Sequence, residues 1–257
     1  MDGRMLRQQL TALLRAKGAA LVGVGSLEGI RLNAGKDRQL REAFEAEGMH
    51  IGVSVAVPVP APIVETLKEA PTAAYYHAYY DLNRKLDDIV RTGERFLRKQ
   101  GFRAFANTTD RVTKDGDSRT PLPHKTLAVR AGLGWIGKNC LLVTPEFGSA
   151  VRISSLLTDA PLPVSARITR SRCGRCRRCV ELCPAKALKG ALWQEGMDRS
   201  ELFDWRICKK TQLARMIAAT GIRQDLCGLC FAVCPFTQPY LDRMRAESGL
   251  RGKEQPE

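Results

Sequence analysis

Residues 173–184 read Cys-Gly-Arg-Cys-Arg-Arg-Cys-Val-Glu-Leu-Cys-Pro, a run in which the cysteines follow the spacing C-x2-C-x2-C-x3-C-P. This spacing is typical of the loops that hold [4Fe–4S] clusters in bacterial ferredoxins. The first three thiolates of such a loop cap one cubane, and the fourth points away toward a second cluster. Pro184 ends the loop without needing a backbone donor. The stretch therefore predicts an iron–sulfur fold for this part of the chain.

A second, partial copy of the pattern lies downstream, at Cys227-x2-Cys230-x3-Cys234-Pro235. Cys208, further upstream, takes the place of the first cysteine that this copy lacks. Because the last cysteine of each run ligates the other cluster, the two runs predict a crossed pair of [4Fe–4S] clusters. One predicted cluster takes Cys173, Cys176, Cys179 and Cys234, and the other takes Cys208, Cys227, Cys230 and Cys183.

Two other uses of these cysteines have to be weighed against the cluster prediction. Paired CxxC units also make structural zinc sites, but zinc ribbons need neither a third cysteine nor two CP endings. Disulfides are rare in a reducing compartment, where nine cysteines indicate metal binding or catalysis. Cys140 is left outside both runs, and we expect it to be a small buried apolar residue.

Composition and charge restrict the partners and the location of the chain. The 257 residues contain no run of 18 apolar residues and no secretory signal, which predicts a cytoplasmic protein without a membrane span. The net charge of +14 favours acidic or polyanionic partners. Six arginines crowd around the first cysteine run, at Arg167, Arg170, Arg172, Arg175, Arg177 and Arg178. They fit an acidic electron donor of the ferredoxin or flavodoxin type, or a tRNA backbone, although such charge runs are often only solvated faces.

The rest of the sequence alternates between helical and strand patterns, which predicts an α+β fold. A helical stripe ends at Gly18, and a long helix is expected at about 76–100. Strands are expected at 19–24, 51–57, 102–106 and 151–157, and the apolar segment 140–143 is also strand-like. We place a mixed α/β domain at 1–163, a double-cluster ferredoxin-like domain at 164–241 and a polar tail at 242–257.

Residues 131–139 read Ala-Gly-Leu-Gly-Trp-Ile-Gly-Lys-Asn and contain the spacing GxGxxG. A dinucleotide fingerprint should follow a strand and open a helix. Here a short helical segment, 125–131, comes before the glycines and a strand-like segment comes after them. The pattern therefore does not predict a nicotinamide site, and a close-packed turn is the simpler interpretation.

Together with the double cysteine motif, this segment resembles the epoxyqueuosine reductase family and, more distantly, the reductive dehalogenases. The likeness also covers Tyr79-Tyr80-Asp81 and Pro121–Ala128. The resemblance implies a base-off cobalamin held by the N-terminal domain, to which the clusters pass single electrons. It implies reduction of epoxyqueuosine in tRNA or of a related compound. The residues that it implies for cobalamin contact are Gly132, Gly134, Trp135, Gly137, Lys138 and Asn139.

The sequence departs from the family pattern in two respects. The stretch Ser118-Arg119-Thr120-Pro121 has a serine where the family has its acidic proton donor, and His124 stands at a glutamate position. Asp117, one residue away, is the candidate catalytic acid, with a solvated loop aspartate as the alternative. The chain also lacks the helical-repeat region of larger members. These departures keep a second function open, that of a non-enzymatic electron carrier or a partner that reduces another protein's corrinoid.

Overall fold

A computed structural model describes residues 2–33 and 38–249, which form two compact units. Both units are discontinuous in sequence. Of the described residues, the first unit contains 2–33, 38–58, 80–134 and 152–169, and the second contains 59–79, 135–151 and 170–249. These interleaved units differ from the division expected at 163/164, which as a domain boundary stays a prediction.

The first unit is built on a four-stranded sheet with the strand order β1-β2-β6-β3. Strand β1 pairs with β2 in antiparallel fashion, with Leu21 opposite Ala56, and β3 pairs with β6 in the same way. The strands of this sheet are β1 Leu21–Ser26, β2 Ile51–Pro58, β3 Ala104–Asn107 and β6 Val151–Thr158. Its helical elements are α1 Gly3–Ala16, α2 Arg38–Arg41, a π-helical turn Glu42–Ala46 and α5 His124–Arg130. Helix α4, Ala73–Lys99, belongs to this unit from residue 80 onward.

The two faces of this sheet pack against different helices. Alternating valines of β2 join a core with α1 and α4, whose members include Leu10, Val55, Ile89 and Leu156. A second core gathers residues of the π-helical turn and α5. Because successive strand residues point to opposite faces, β2 contributes to a layer on each side. The observed unit confirms the predicted mixed helix-and-sheet fold.

Small residues let α5 approach the sheet closely. A Cβ added at Gly52 would lie 2.6 Å from the Leu127 side chain, and one at Gly25 would lie 2.5 Å from the Arg130 carbonyl carbon. Both distances are shorter than any ordinary carbon contact. The glycines of β1 and β2 are therefore required by the helix that packs on them.

The second unit is mainly helical. Its only described strand pair is the hairpin of β4 Trp135–Ile136 and β5 Leu142–Val143, in which Trp135 lies opposite Val143. Its helices are α3 Ala61–Thr66, the first residues of α4, α6 Arg178–Glu181, α7 Arg199–Leu202, α8 Trp205–Thr220, α9 Leu229–Ala232 and α10 Gln238–Glu247. No helix in the described part of the chain is long and apolar enough to cross a membrane.

Helices α8 and α10 of this unit are among those that were not anticipated from the sequence. Helix α8 buries only Met216 fully, so it lacks the apolar stripe that reveals a helix in a sequence. Helix α10 runs into the predicted polar tail, which was expected to begin at residue 242. Tyr240 and Leu241 anchor this helix by their burial, and the tyrosine hydroxyl donates to the Val59 carbonyl at 2.9 Å. The remainder of the predicted tail, 250–257, lies outside the described residues.

Candidate iron–sulfur site

The first cysteine run forms a tight loop followed by one turn of helix. The amide of Cys176 donates to the Cys173 carbonyl at 3.2 Å, and Gly174 between them has a φ of 52°. That left-handed conformation is one that glycine adopts without strain. Helix α6 then carries Cys179. The local chain thus turns the first three thiols toward one another.

Cys234, from the second run, completes this group. Cys173, Cys176, Cys179 and Cys234 line one pocket, together with Lys138, Asn139, Val143, Pro235 and Phe236. Burial, together with the neighbouring Cys234, Cys173 and Cys176, raises the pKa of the Cys179 thiol to about 12. Burial likewise raises the pKa of Cys234. Such a set of crowded, desolvated thiols can become thiolates only beside a compensating positive charge.

The other four predicted ligands form a second group. Cys183 packs in an apolar cluster with Cys208 and Cys230, and Cys179 of the first group also contacts this cluster. Burial raises the pKa of the Cys208 thiol to about 11, and the nearby Cys183 and Cys227 act in the same direction. Burial also raises the pKa of Cys230 well above its ordinary value. The structure thus brings Cys183, Cys208, Cys227 and Cys230 near one another, and the assignment of these thiols to one cluster stays a prediction.

Cys208 reaches this second group from a helix rather than from a loop. It lies in the first turn of α8, which Asp204 caps by accepting from the amides of Arg206 and Ile207. The Gln212 side-chain amide, one turn further on, donates to the Cys208 sulfur at 3.1 Å. Cys140 is buried, as expected. Among the described residues, no three His, Cys, Asp or Glu side chains are grouped so as to hold a single metal ion.

The turn between β4 and β5 lies against the first group. Lys138 is only 6% exposed, and its ammonium group donates to the carbonyls of Gly174 at 2.8 Å and Cys176 at 2.9 Å. The Asn139 amide donates to the Ser149 hydroxyl oxygen at 2.9 Å. A hydrogen bond from Ser149 in turn acts to lower the pKa of Cys234. Lys138 and Asn139 thus contact the surroundings of the first four cysteines.

The remaining residues predicted for cobalamin contact are also packed within the protein. A Cβ added at Gly132 would lie 2.8 Å from the Ala166 carbonyl oxygen, and one at Gly137 would lie 2.6 Å from the Asn139 side-chain oxygen. Trp135 is buried and packs edge-on against Phe236 with ring centroids 5.0 Å apart. Gly134 is buried as well. Most of these positions accommodate the chain's own atoms, so they fit a close-packed turn better than a corrinoid contact. Their role toward a corrinoid stays a prediction.

The predicted catalytic acid lies in an exposed turn of the first unit. The Asp117 amide donates to the Asp115 carboxylate at 2.9 Å, and the same oxygen accepts from the Arg119 amide at 2.8 Å. Ser118 has a φ of 55°, which is unusual for a residue with a side chain. Asp115 therefore organises the turn, and Asp117 is presented to solvent at its tip.

His124, at the start of α5, makes a polar contact that could not be predicted from the sequence. Its Nδ1 lies 2.8 Å from the Ser155 hydroxyl oxygen of β6. Desolvation lowers the pKa of His124 to about 4, and the nearby Arg152 acts in the same direction. The imidazole is therefore neutral at physiological pH. Asn107 and Ser54, also in this unit, each have a buried side-chain oxygen without a hydrogen-bond partner.

The arginines around the first cysteine run are all exposed. Arg172 lies over the Trp135 ring, with its guanidinium carbon 5.7 Å from the ring centroid. Arg177 packs against Gly190, where an added Cβ would come within 2.8 Å of the guanidinium group. This part of the chain therefore presents a basic surface beside the loop of Cys173.

Comparison with known proteins bears on both the cysteines and the resemblance. Residues 172–237 match the family described as the 4Fe-4S double cluster binding domain. Curated epoxyqueuosine reductases are also similar in sequence. The protein of Pseudomonas aeruginosa is 33% identical over 133 residues, which are 51% of this chain and 34% of that protein. The protein of Synechococcus sp. (strain CC9605) is 35% identical over 166 residues, which are 63% of this chain and 48% of that protein.

The chain is similar in sequence to these curated epoxyqueuosine reductases over 51% and 63% of its length. The resemblance inferred from the sequence is thereby confirmed, as is the presence of a double [4Fe–4S] cluster domain. The chain spans less than half the length of the curated relatives that it matches.

Solved structures show the same fold at lower identity. The catabolic reductive dehalogenase NpRdhA superposes with a TM-score of 0.73 at 19% identity, over 98% of this chain and 35% of the dehalogenase. An epoxyqueuosine reductase solved with an epoxyqueuosine-modified tRNA-Tyr stem loop superposes with a TM-score of 0.56 at 20% identity. That match covers 91% of this chain and 66% of the reductase. At these identities the likeness is one of fold.

Several residues around the cysteines were not found by reasoning from the sequence. Ser149 and Gln212 carry no motif, and each reaches a cysteine through a contact made by folding. Lys138 and Asn139 were noticed, but only as candidates for a corrinoid contact. Nothing in the sequence near these two residues indicates that they face the Cys173 loop, because the groups that they contact lie elsewhere in the chain.

Proposed function

We propose that this chain is an iron–sulfur oxidoreductase that carries single electrons through two [4Fe–4S] clusters. The clustering of the eight thiols, four of which line one pocket, supports this proposal most directly. Thiolate is the ligand that such clusters require, and burial of the thiols favours binding to an iron core over free ionisation. The thiols therefore fit the clusters. When bound, these clusters accept and release one electron at a time.

The ligand sets in this proposal are crossed between the two runs. The first cluster is held by Cys173, Cys176, Cys179 and Cys234, and the second by Cys208, Cys227, Cys230 and Cys183. The common pocket of the first four cysteines supports the first set. The contribution of the nearby Cys183 and Cys227 to the raised pKa of the Cys208 thiol supports the second.

The electron acceptor in this proposal is a base-off cobalamin, whose reduced cobalt would supply the chemistry of substrate reduction. Two observations support it: the sequence similarity to epoxyqueuosine reductases, and a likeness of fold to a reductive dehalogenase described as B12-dependent. The turn at 137–139 engages the chain's own atoms instead of presenting free groups to a corrinoid. The proposed substrate is epoxyqueuosine in tRNA or a related compound, which would place the chain in the cytoplasm.

Asp117 is the proposed proton donor to the substrate. Its exposure at the tip of a turn gives a substrate access to the carboxyl group. The Asp115 carboxylate holds the turn by accepting from two backbone amides, those of Asp117 and Arg119. An Asp117→Asn substitution should lower turnover of epoxyqueuosine-containing tRNA by at least about 100-fold, the usual contribution of a positioned acid. Asp88→Asn, at another exposed aspartate, should leave turnover unchanged.

The basic surface supports two partners for this function. An acidic electron donor of the ferredoxin or flavodoxin type would be attracted to the arginines beside the first cysteine loop. The same positive charge suits the phosphate backbone of tRNA. Measuring the association of the chain with each of these two partners at several salt concentrations would decide between them.

The second candidate function is a non-enzymatic electron carrier, or a protein that reduces a corrinoid held elsewhere. The serine at position 118 favours it, because the acid of the family motif is missing there. Turnover of epoxyqueuosine-containing tRNA by the purified chain would exclude this candidate.

The deciding experiment is anaerobic reconstitution followed by counts of iron, sulfide, zinc and cobalt. We expect eight irons per chain, electron paramagnetic resonance signals from two reduced [4Fe–4S] clusters, and one cobalt when cobalamin is added. Zinc in place of iron, or markedly fewer than eight irons, would contradict the iron–sulfur function. Intact clusters without retained cobalt would contradict the cobalamin part alone.

A further inference from the structure

The turn Gly137-Lys138-Asn139 lies against the first four cysteines, and its two polar side chains point to the same pocket from different directions. Lys138 reaches the loop of Cys173 through two backbone carbonyls, those of Gly174 and Cys176. Asn139 reaches Cys234 through Ser149. The turn therefore connects the two chain segments that supply the thiols of this pocket.

The burial of Lys138 needs a compensating charge. An ammonium group has three donors, and only two of them are satisfied by the carbonyls of the cysteine loop. Across residues 2–33 and 38–249, no carboxylate pairs with this group. Burying an unpaired ammonium costs several kcal/mol, so such groups normally pair with an anion. A cubane with four thiolate ligands is an anion, and it is the group that the adjacent pocket fits.

We infer that Lys138 is a positioning residue for the first [4Fe–4S] cluster, which holds the Cys173–Cys176 loop in place and offsets the negative charge of the reduced cluster. This inference rests on the proposed function, because it requires a cluster in the pocket. Its physical basis is that a cluster gains a negative charge on reduction. A fixed positive charge nearby therefore stabilises the reduced form and raises the reduction potential.

The inference gives the turn a role different from corrinoid contact. Gly137 has no room for a side chain because Asn139 and Val143 lie where its Cβ would be. The glycine lets the turn fold back so that lysine and asparagine both face the cysteine pocket. On this view the segment is needed for cluster binding whether or not the chain holds cobalamin.

Three substitutions separate the charge of Lys138 from its hydrogen bonds. Lys138→Arg keeps the charge, Lys138→Gln keeps a donor without the charge, and Lys138→Met keeps neither. Lys186→Met is the matched control, since the Lys186 ammonium also donates to a backbone carbonyl, that of Glu181, but at an exposed position. Each reconstituted protein is titrated anaerobically with reductant while both clusters are followed by electron paramagnetic resonance.

We expect Lys138→Gln and Lys138→Met to lower the ratio of reduced to oxidised first cluster at least tenfold at a fixed potential. For a one-electron couple, this corresponds to a decrease of about 59 mV in the reduction potential of that cluster. The second cluster should not shift, and Lys138→Arg and Lys186→Met should resemble the wild type. If the uncharged variants lose iron instead, Lys138→Arg should retain more iron than either of them. Equal potentials, or equal iron loss, in the Arg and Gln variants would overturn the role of the charge. A wild-type chain without eight irons would instead overturn the proposed function on which this inference rests.

Discussion

Cys234 and His124 show how single residues acquire properties that their neighbours in the sequence do not determine. Cys234 lies in the second cysteine run, yet it shares a pocket with the cysteines of the first. His124 looks like an ordinary polar residue in the sequence, yet burial keeps its imidazole neutral. Each property leads to a measurable expectation at the scale of one side chain.

Cys234→Ala should remove the cluster held by the first run, because the crossed pairing makes this thiol the fourth ligand of that cluster. The iron content should fall by about half, and the missing resonance component should be the one that Cys176→Ala also removes. Cys230→Ala should remove the other component, and Cys140→Ala should keep both. If Cys234→Ala and Cys230→Ala lost the same component while Cys176→Ala lost a different one, the crossed pairing would be wrong.

His124 should make the first unit less stable in mild acid. The unfolded histidine binds a proton below its usual pKa of 6.5, whereas the folded one does so only near 4. The unfolded state therefore holds more protons in that interval, and stability falls as the pH decreases through it. From about pH 7.5 to about pH 5.5, this should lower the free energy of unfolding by about 1 kcal/mol.

The measurement for His124 is urea unfolding of the anaerobic protein at both pH values. His124→Asn should lose this part of the pH dependence, while His77→Asn should retain it. An unchanged pH dependence in the His124 variant would show that its burial contributes nothing to acid stability.

At the scale of secondary-structure elements, α8 is the clearest case of a helix that tunes a site. Its cap at Asp204 fixes the first turn, which carries Cys208. One turn later Gln212 donates to the Cys208 sulfur. Hydrogen bonds to a ligand sulfur stabilise the reduced, more negative cluster, and they thereby raise its potential.

Gln212→Leu should therefore lower the reduction potential of the second cluster and leave that of the first unchanged. The two clusters would be resolved in an anaerobic titration followed by electron paramagnetic resonance. Gln238→Leu is the matched control, because the Gln238 amide donates to the Asp242 carboxylate on α10 and has no contact with a cysteine sulfur among the described residues. A shift of the first cluster, or equal shifts in both variants, would contradict this role for Gln212.

At the scale of the whole molecule, the dominant feature is the excess of positive charge. The chain has 41 lysines and arginines against 27 aspartates and glutamates. Part of this excess lies in exposed arginines around the first cysteine run. Charge distributed in this way raises the rate at which an acidic partner arrives, and salt screens the effect.

The combined substitution of Arg170, Arg175 and Arg178 by glutamine should slow reduction of the clusters by an acidic flavodoxin or ferredoxin about tenfold at low salt. The rates of variant and wild type should converge as salt is raised. Stopped-flow measurement at several ionic strengths checks both expectations. Glutamine at Arg4, Lys99 and Arg223 removes the same charge elsewhere and should have a much smaller effect. Equal slowing in the two triple variants would indicate a general charge effect without a docking surface.

Much of the fold followed from periodic patterns. The alternating valines of β2 and the apolar stripe of α4 were correctly predicted because each element buries a regular face in the core. Helix α8 was missed because only one of its side chains, that of Met216, is fully buried, so no apolar stripe marks it. The π-helical turn Glu42–Ala46 and α10 also carry no pattern that separates them from polar loops.

The sequence by itself determined the cysteine chemistry, because the spacing within a short loop fixes which thiols can converge on one cubane. It also determined the resemblance to epoxyqueuosine reductases, which rests on contiguous motifs. Only the tertiary structure decided the contacts of Lys138, Asn139 and Gln212. The contacts of Lys138 join residues that are 36 and 38 positions apart in sequence, and all three sets of contacts depend on burial and on side-chain direction. Such contacts are set by packing, which no local spacing encodes.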